Sequence, residues 1–280
     1  MRKTIPKRSN RKIRNRNKSD PAIKGKAGSG TIWDYHGEPL RPYVLHDFQT
    51  HGKRAGPEAF PRDCHGWLQC DAHAVYDQIF VPKTLAPEQR LPVEVGCRAH
   101  ARRKFYDARM IQPSAHVVLD MIGVLYGVER QAKKKPTGER LALRQEKSVP
   151  VMNAIFDWCR VHQAEYELPS DPLRGAIRYA LKGETALRRY AADGRLEIDN
   201  NAAERILRLI AIGRKNWLFY GSIRGGRTGA ILHSLLASAH RNGLNEFACM
   251  LDVLDRLCDL KSQAELFELL PDRWQWNTAR

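Results

Sequence analysis

From Ser114 to about Asp193 the apolar residues return every three or four positions. They run Val117, Val118, Met121, Ile122 and Leu125, then Val151, Ile155, Phe156 and Cys159, then Leu173, Ile177, Ala180 and Leu181. Pro136, Pro150, Pro169 and Pro172 cut this run into separate helices. A period so sustained excludes strands from the middle of the chain. Any sheet must come from the residues on either side, with an all-helical body inserted between them.

The earlier part supplies short extended runs. Thr31 to His36 and Pro42 to Asp47 flank turn residues at Gly37, Glu38 and Pro39, which predicts a hairpin. A polar loop from Gly52 to Asp63 follows. Gly66 to Asp71 reads as a strand, Ala72 to Phe80 as a helix, Pro92 to Cys97 as a further strand, and the AHARRKFYDA run as the helix after it. The class is therefore α/β. We divide it into a basic tail without order (1–30), a first part of the sheet domain (31–112), the helical insertion (113–195) and a closing part (196–280).

Composition narrows the partners. Forty-seven Lys and Arg against 31 Asp and Glu leave a formal net charge of +16, which attracts polyanions at long range. Nucleic acid is the default partner this favours, with a membrane surface as the rival. No apolar run is long enough to span a membrane. Met1 to Gly30 is too polar to bury a core of its own, so it is expected to be either a phosphate-binding arm or a solvated tail. The six cysteines include no CxxC pair, and reduced thiols are expected. Cys64, His65, Cys70 and His73, even with Cys97 and His100, match no standard zinc spacing.

Leu196 to Ser222 (LEIDNNAAERILRLIAIGRKNWLFYGS) carries the densest chemistry. Asn201 with Glu204 three positions on forms an N-x-x-E version of the capping box, so a helix starts near Asn200. Glu204 lies in its first turn, where the helix dipole favours a carboxylate, and Arg205 and Arg208 occupy a neighbouring face. Gly213 is expected to end this helix, leaving Arg214 and Lys215 in a basic turn and Trp217 to Tyr220 extended. The loop SIRGGR, with Arg227, can offer backbone N–H groups and a guanidinium to phosphate. Each residue also has a plain structural reading. Glu204 can simply close the cap, Asp71 can cap the following helix, and the arginines can be a solvated face.

Taken in order, GWLQCDAHAVYD, VGCRAHARRKFYDA and the block from IDNNAAER to CMLDVL resemble the catalytic region of a bacterial insertion-sequence transposase, of the family named for insertion sequence sixty-six. The resemblance covers about Thr31 to the C-terminus. It implies a ribonuclease-H-like mixed sheet that holds three carboxylates and two Mg²⁺ (or Mn²⁺) ions. Two such ions, about 4 Å apart, activate the attacking oxygen and stabilise the leaving one during DNA cleavage and strand transfer. By position, Asp71 is the second acid and Glu204 the third, and Arg205, Arg208, Arg214, Lys215 and Arg227 are contacts to the phosphates of double-stranded DNA. The first acid belongs to an opening strand upstream of Thr31, in a block resembling aspartate-glutamate-threonine, and no such block is present. The first strand is therefore expected to be missing and the chain truncated and inactive alone. Asp34 and Asp47 are the stand-ins to be tested. The resemblance further implies a bacterial cytoplasmic, nucleoid-associated protein that assembles with itself or with an intact transposase.

Overall fold

The computed structural model describes residues 7–16, 27–38, 41–50, 66–71, 76–81, 91–166, 168, 170–217 and 220–275. Cys64, His65 and His73 of the weighed zinc cluster lie outside them. Two compact units form. One comprises 1–66, 75–92 and 202–280, and the other 67–74 and 93–201.

In the first unit, β1 (Lys7–Arg16), β2 (Ala27–His36) and β3 (Val44–Gln49) make an antiparallel sheet in that order. The hairpin expected around Gly37 is present, with His36 opposite Val44. The missing opening strand is not missing. β1 runs its full length along β2, with Lys7 opposite His36 and Arg16 opposite Ala27. Charge and low apolar content hid it, because this pairing is made through backbone groups that any residue but proline offers. β3 has its other edge against a long helix, labelled α9 below and spanning Ile223–Arg241. There the Ser238 and Ser234 hydroxyls accept from Val44 N–H (2.9 Å) and His46 N–H (2.8 Å). Two helix serines thus satisfy strand-edge donors that would otherwise be open to pairing.

In the second unit, β4 (Trp67–Cys70) and β5 (Val93–Gly96) pair in parallel, Cys70 opposite Gly96. The described strands thus form two sheets, of three and two strands, and not one continuous mixed sheet. A short helix, α1 (Asp77–Phe80), belongs to the first unit. The helical run predicted from 114 onward is there: α2 (Arg98–Ala108), α3 (Ala115–Ala132), α4 (Thr137–Leu143), a π-helical turn (Arg144–Ser148), α5 (Val149–His162), α6 (Pro172–Lys182) and α7 (Glu184–Arg188). Asp171 starts α6 by accepting from Leu173 N–H at 2.7 Å, with Pro172 pre-set for the first turn. Phe105, Ile122, Leu125, Ile155, Phe156, Leu173 and Ile177 form its core. Each such side chain contributes about 1.5–3 kcal/mol by leaving water.

The chain continues through α8 (Asn201–Trp217) into α9, then α10 (Glu246–Leu257) and α11 (Gln263–Glu268). Two expectations fail here. α8 does not stop at Gly213, because one interior glycine costs only about 1 kcal/mol relative to alanine and does not break a helix held by its neighbours. Arg214 and Lys215 are therefore helical, and the extended stretch from Trp217 is not observed at Trp217 itself. SIRGGR is not a loop either. Ser222 caps α9 by accepting from Gly225 N–H at 2.9 Å, and Ile223 onward is helix. Its glycines serve packing: a Cβ on Gly226 would come within 2.6 Å of the Phe48 ring.

Candidate functional site

The carboxyl ends of β4 and β5 are where the second unit gathers its chemistry. Asp71 follows β4 directly and is half-buried, as the sequence predicts for an acid closing a strand. The segment leading into α8 is sewn to the same strand ends. Gln69 Nε2 donates to Glu197 O at 2.8 Å, Arg98 N–H to Ile198 O at 3.0 Å, and the Cys97 thiol to Asn200 Oδ1 at 2.9 Å. Asp199 accepts from the Tyr126 hydroxyl at 2.8 Å and from Asn201 N–H at 3.0 Å. Burial pushes the Cys97 thiol up to about 11, so it stays a neutral donor. Sequence reasoning read Asp199 as a helix-starting residue and Cys97 only as a weak zinc candidate, and it missed Tyr126. The bonds these residues make reach far along the chain and have no local signal.

Glu204 stands half-buried in the first turn of α8, one turn beyond Asn201. The helix buries Ala203, Leu207 and Ile210, the last two against Ile32, Phe48 and Ala230. Arg205, Arg208 and Lys215 lie on its outer side, all exposed, interleaved with exposed Leu209 and Ile212. Arg227 is exposed near the start of α9, and Arg224, which the sequence reading passed over, is exposed one turn before it. The Arg214 backbone is helical.

Both stand-ins for the first acid lie on the three-stranded sheet of the first unit. Asp34 is wholly buried, with Oδ2 2.5 Å from His36 Nε2 and Oδ1 3.1 Å from His46 Nδ1. Arg241 adds favourable charge to Asp34 and ties the hairpin by donating to Gly37 O and Tyr43 O at 3.1 and 3.2 Å. Beside this cluster, burial and the neighbouring His46 hold His233 below its usual value. Asp47 accepts from Gln49 Nε2 at 2.7 Å. β1, the strand on which the resemblance places the first acid, reads KRSNRKIRNR and contains no carboxylate. Among the described residues no group of three or more His, Cys, Asp and Glu side chains is arranged to hold a metal ion. No described helix is long and apolar enough to cross a membrane.

Residues 19–228 match the transposase IS66 family. The chain is 32% identical over 275 residues to the uncharacterized protein y4hP of Sinorhizobium fredii (strain NBRC 101917 / NGR234), covering 91% of this chain and 48% of that protein. It is 34% identical over 247 residues to y4jD of the same strain (85% and 46%), and 31% over 264 residues to y4qI (90% and 48%), both likewise uncharacterized. It thus spans about half the length of the curated relatives it matches. No solved structure matches.

Proposed function

Since the chain belongs to the IS66 transposase family, we propose that it is a transposase-derived DNA-binding protein that keeps the scaffold of a ribonuclease-H-like DDE catalytic domain without cleaving DNA by itself. The observation that carries this reading is β1: the opening strand is in place, but its ten residues include no acid. Asp71 and Glu204 are the second and third acids of the ancestral set. The divalent ions of an intact site would supply activation of the attacking oxygen and stabilisation of the leaving one. With two of three carboxylates we derive no step through them. What this chain's residues do is bind: Arg205, Arg208, Lys215, Arg227 and, through the same helix, Arg214 contact the phosphates of duplex DNA without reading sequence. An intact transposase or a second copy is the protein partner.

The test is direct. Purified protein with Mg²⁺ or Mn²⁺ and a supercoiled plasmid carrying the element's ends should bind the DNA and leave it unnicked. Nicking that disappears in Glu204→Gln and Asp71→Asn would reject the non-cleaving reading and restore an active enzyme.

A further inference from the structure

The helical unit has a groove lined by its own residues alone. It is open-sided, holds about 950 Å³, and lies between α2 and α3 with the π-helical turn and Pro150 along its rim. Arg102, Arg109, Arg130 and Lys147 line it, against Asp120 and Glu146.

Among the described residues the groove cations have no acidic partner, unlike several other arginines of the unit. Arg140, Arg144, Arg160, Arg188 and Arg195 each have a carboxylate within 4.0 Å. Arg102, Arg109, Arg130 and Lys147 have none among the described residues, and Arg102, Arg130 and Lys147 are exposed. Unneutralised cations that converge on a concave surface repel one another, and a polyanion relieves the repulsion.

An aromatic wall accompanies them. Tyr106 is 43% exposed, with the Arg109 guanidinium 3.3 Å above its ring centroid and that of Arg102 at 5.6 Å. Arg109 is further fixed by donating to Tyr106 O at 2.5 Å. Aromatic rings and guanidinium planes held in place beside free cations are what nucleobases stack on, whatever their sequence. The floor is low: a Cβ on Gly123 would meet nothing within 4 Å, so a chain can approach the α3 backbone closely.

We propose that this groove is a second nucleic-acid site that takes a single-stranded segment, its phosphates on Arg102, Arg130 and Lys147 and its bases against the Arg109–Tyr106 stack. The inference deepens the DNA-binding reading above and rests on it, but assigns strand handling to the helical unit in addition to the duplex contacts of α8.

The full-length chain is titrated, by fluorescence anisotropy, with a labelled oligothymidylate of about 16 nucleotides and with a duplex of equal length. Arg102→Ala/Arg130→Ala/Lys147→Ala is compared with Arg205→Ala/Arg208→Ala; all five side chains are exposed, and far-UV dichroism confirms the fold. The groove variant should weaken oligothymidylate binding at least about tenfold and flatten the log–log salt slope by about 2, at roughly 0.7 per lost single-strand contact. Its duplex affinity should hold within about threefold. Tyr106→Leu, which leaves every lysine and arginine in place, should weaken oligothymidylate binding alone. An unchanged oligothymidylate affinity in the groove variant, with duplex binding lost in the α8 variant, overturns the groove and leaves the DNA-binding reading standing. If wild-type protein binds neither probe, the parent reading fails as well. Equally tight, groove-dependent binding of polyglutamate would overturn the assignment to nucleic acid.

Discussion

Replacing Arg144 by alanine should unfold the helical unit more readily than any surface change. Its guanidinium is wholly buried and grips Glu129 with both arms, Nε to Oε1 at 2.8 Å and Nη2 to Oε2 at 2.6 Å. Nη1 donates to the carbonyls of Tyr190 and Asp193, both at 3.0 Å. One side chain therefore joins the π-helical turn, α3 and the chain leading to the candidate site. Removing it leaves two carbonyls without their donor and a largely buried carboxylate with only Arg140, 3.9 Å away. Breaking one side of such a pair costs about 3–5 kcal/mol, because the charge left behind has lost its main compensation. With a urea slope of about 2 kcal/mol per molar, the unfolding midpoint should fall by about 1.5–2.5 M. Trp67 and Trp158 fluorescence reports on this unit, and dichroism gives the second probe. The companion Arg144→Met/Glu129→Leu removes both charges, and should be at least about 1 kcal/mol more stable than Arg144→Met alone. A midpoint drop below about 0.5 M for Arg144→Ala, at unchanged slope, would refute the claim that this pair holds the unit together.

Three further outcomes are expected. Gly226→Ala should destabilise the protein by about 1–2 kcal/mol despite the better helix propensity of alanine, because the new methyl would sit 2.6 Å from the Phe48 ring; thermal unfolding should show the loss shrinking in a Phe48→Leu background. Cys97 ionises near 9 when unfolded and near 11 when folded, so its contribution is full below pH 9 and is lost as pH rises toward 11, about 3 kcal/mol in all. Chemical denaturation at pH 8 and pH 11 should show a drop that is smaller in Cys97→Ala. Finally, Arg205→Ala/Arg208→Ala should flatten the salt slope of duplex binding by about 1.8, at roughly 0.9 per contact; a slope equal to that of wild type would remove α8 from the interface.

Much of the helical unit was legible because burial on one side of a helix imprints its period on the sequence, as Val118, Ile122 and Leu125 do. β4 and the hairpin were legible from their turn residues. β1 was not: a strand held by backbone pairing to β2 leaves no apolar alternation, and its run of cations read as a tail. Gly213 and the Gly225–Gly226 pair misled in the opposite direction. Their small size suggested chain ends and phosphate loops, whereas Gly226 fits under Phe48, a ring from β3 far upstream in the chain. Asp71 and Glu204 are read from their neighbours in sequence. The contacts that hold the segment before α8, through Cys97 and Gln69, are nonlocal and leave no such trace.

Those nonlocal contacts also explain how a chain could lose an acid and keep its architecture. The segment Glu197–Asn200 is placed by two bonds to its own carbonyls and by a thiol on Asn200, none of which involves a metal ligand. Asp34, the nearest thing to a replacement, is wholly buried, with Oδ2 held by His36 and Oδ1 3.1 Å from the His46 ring inside the first unit. Freeing it for a cation would expose His36 and His46 to burial without their partner, at a cost of order 1–3 kcal/mol for each stranded polar group. The segment before α8 is thus held by protein hydrogen bonds alone among the described residues. A protein so built retains its cationic helix and its groove whether or not it can cut, which is why binding and cleavage must be measured as separate properties of this chain.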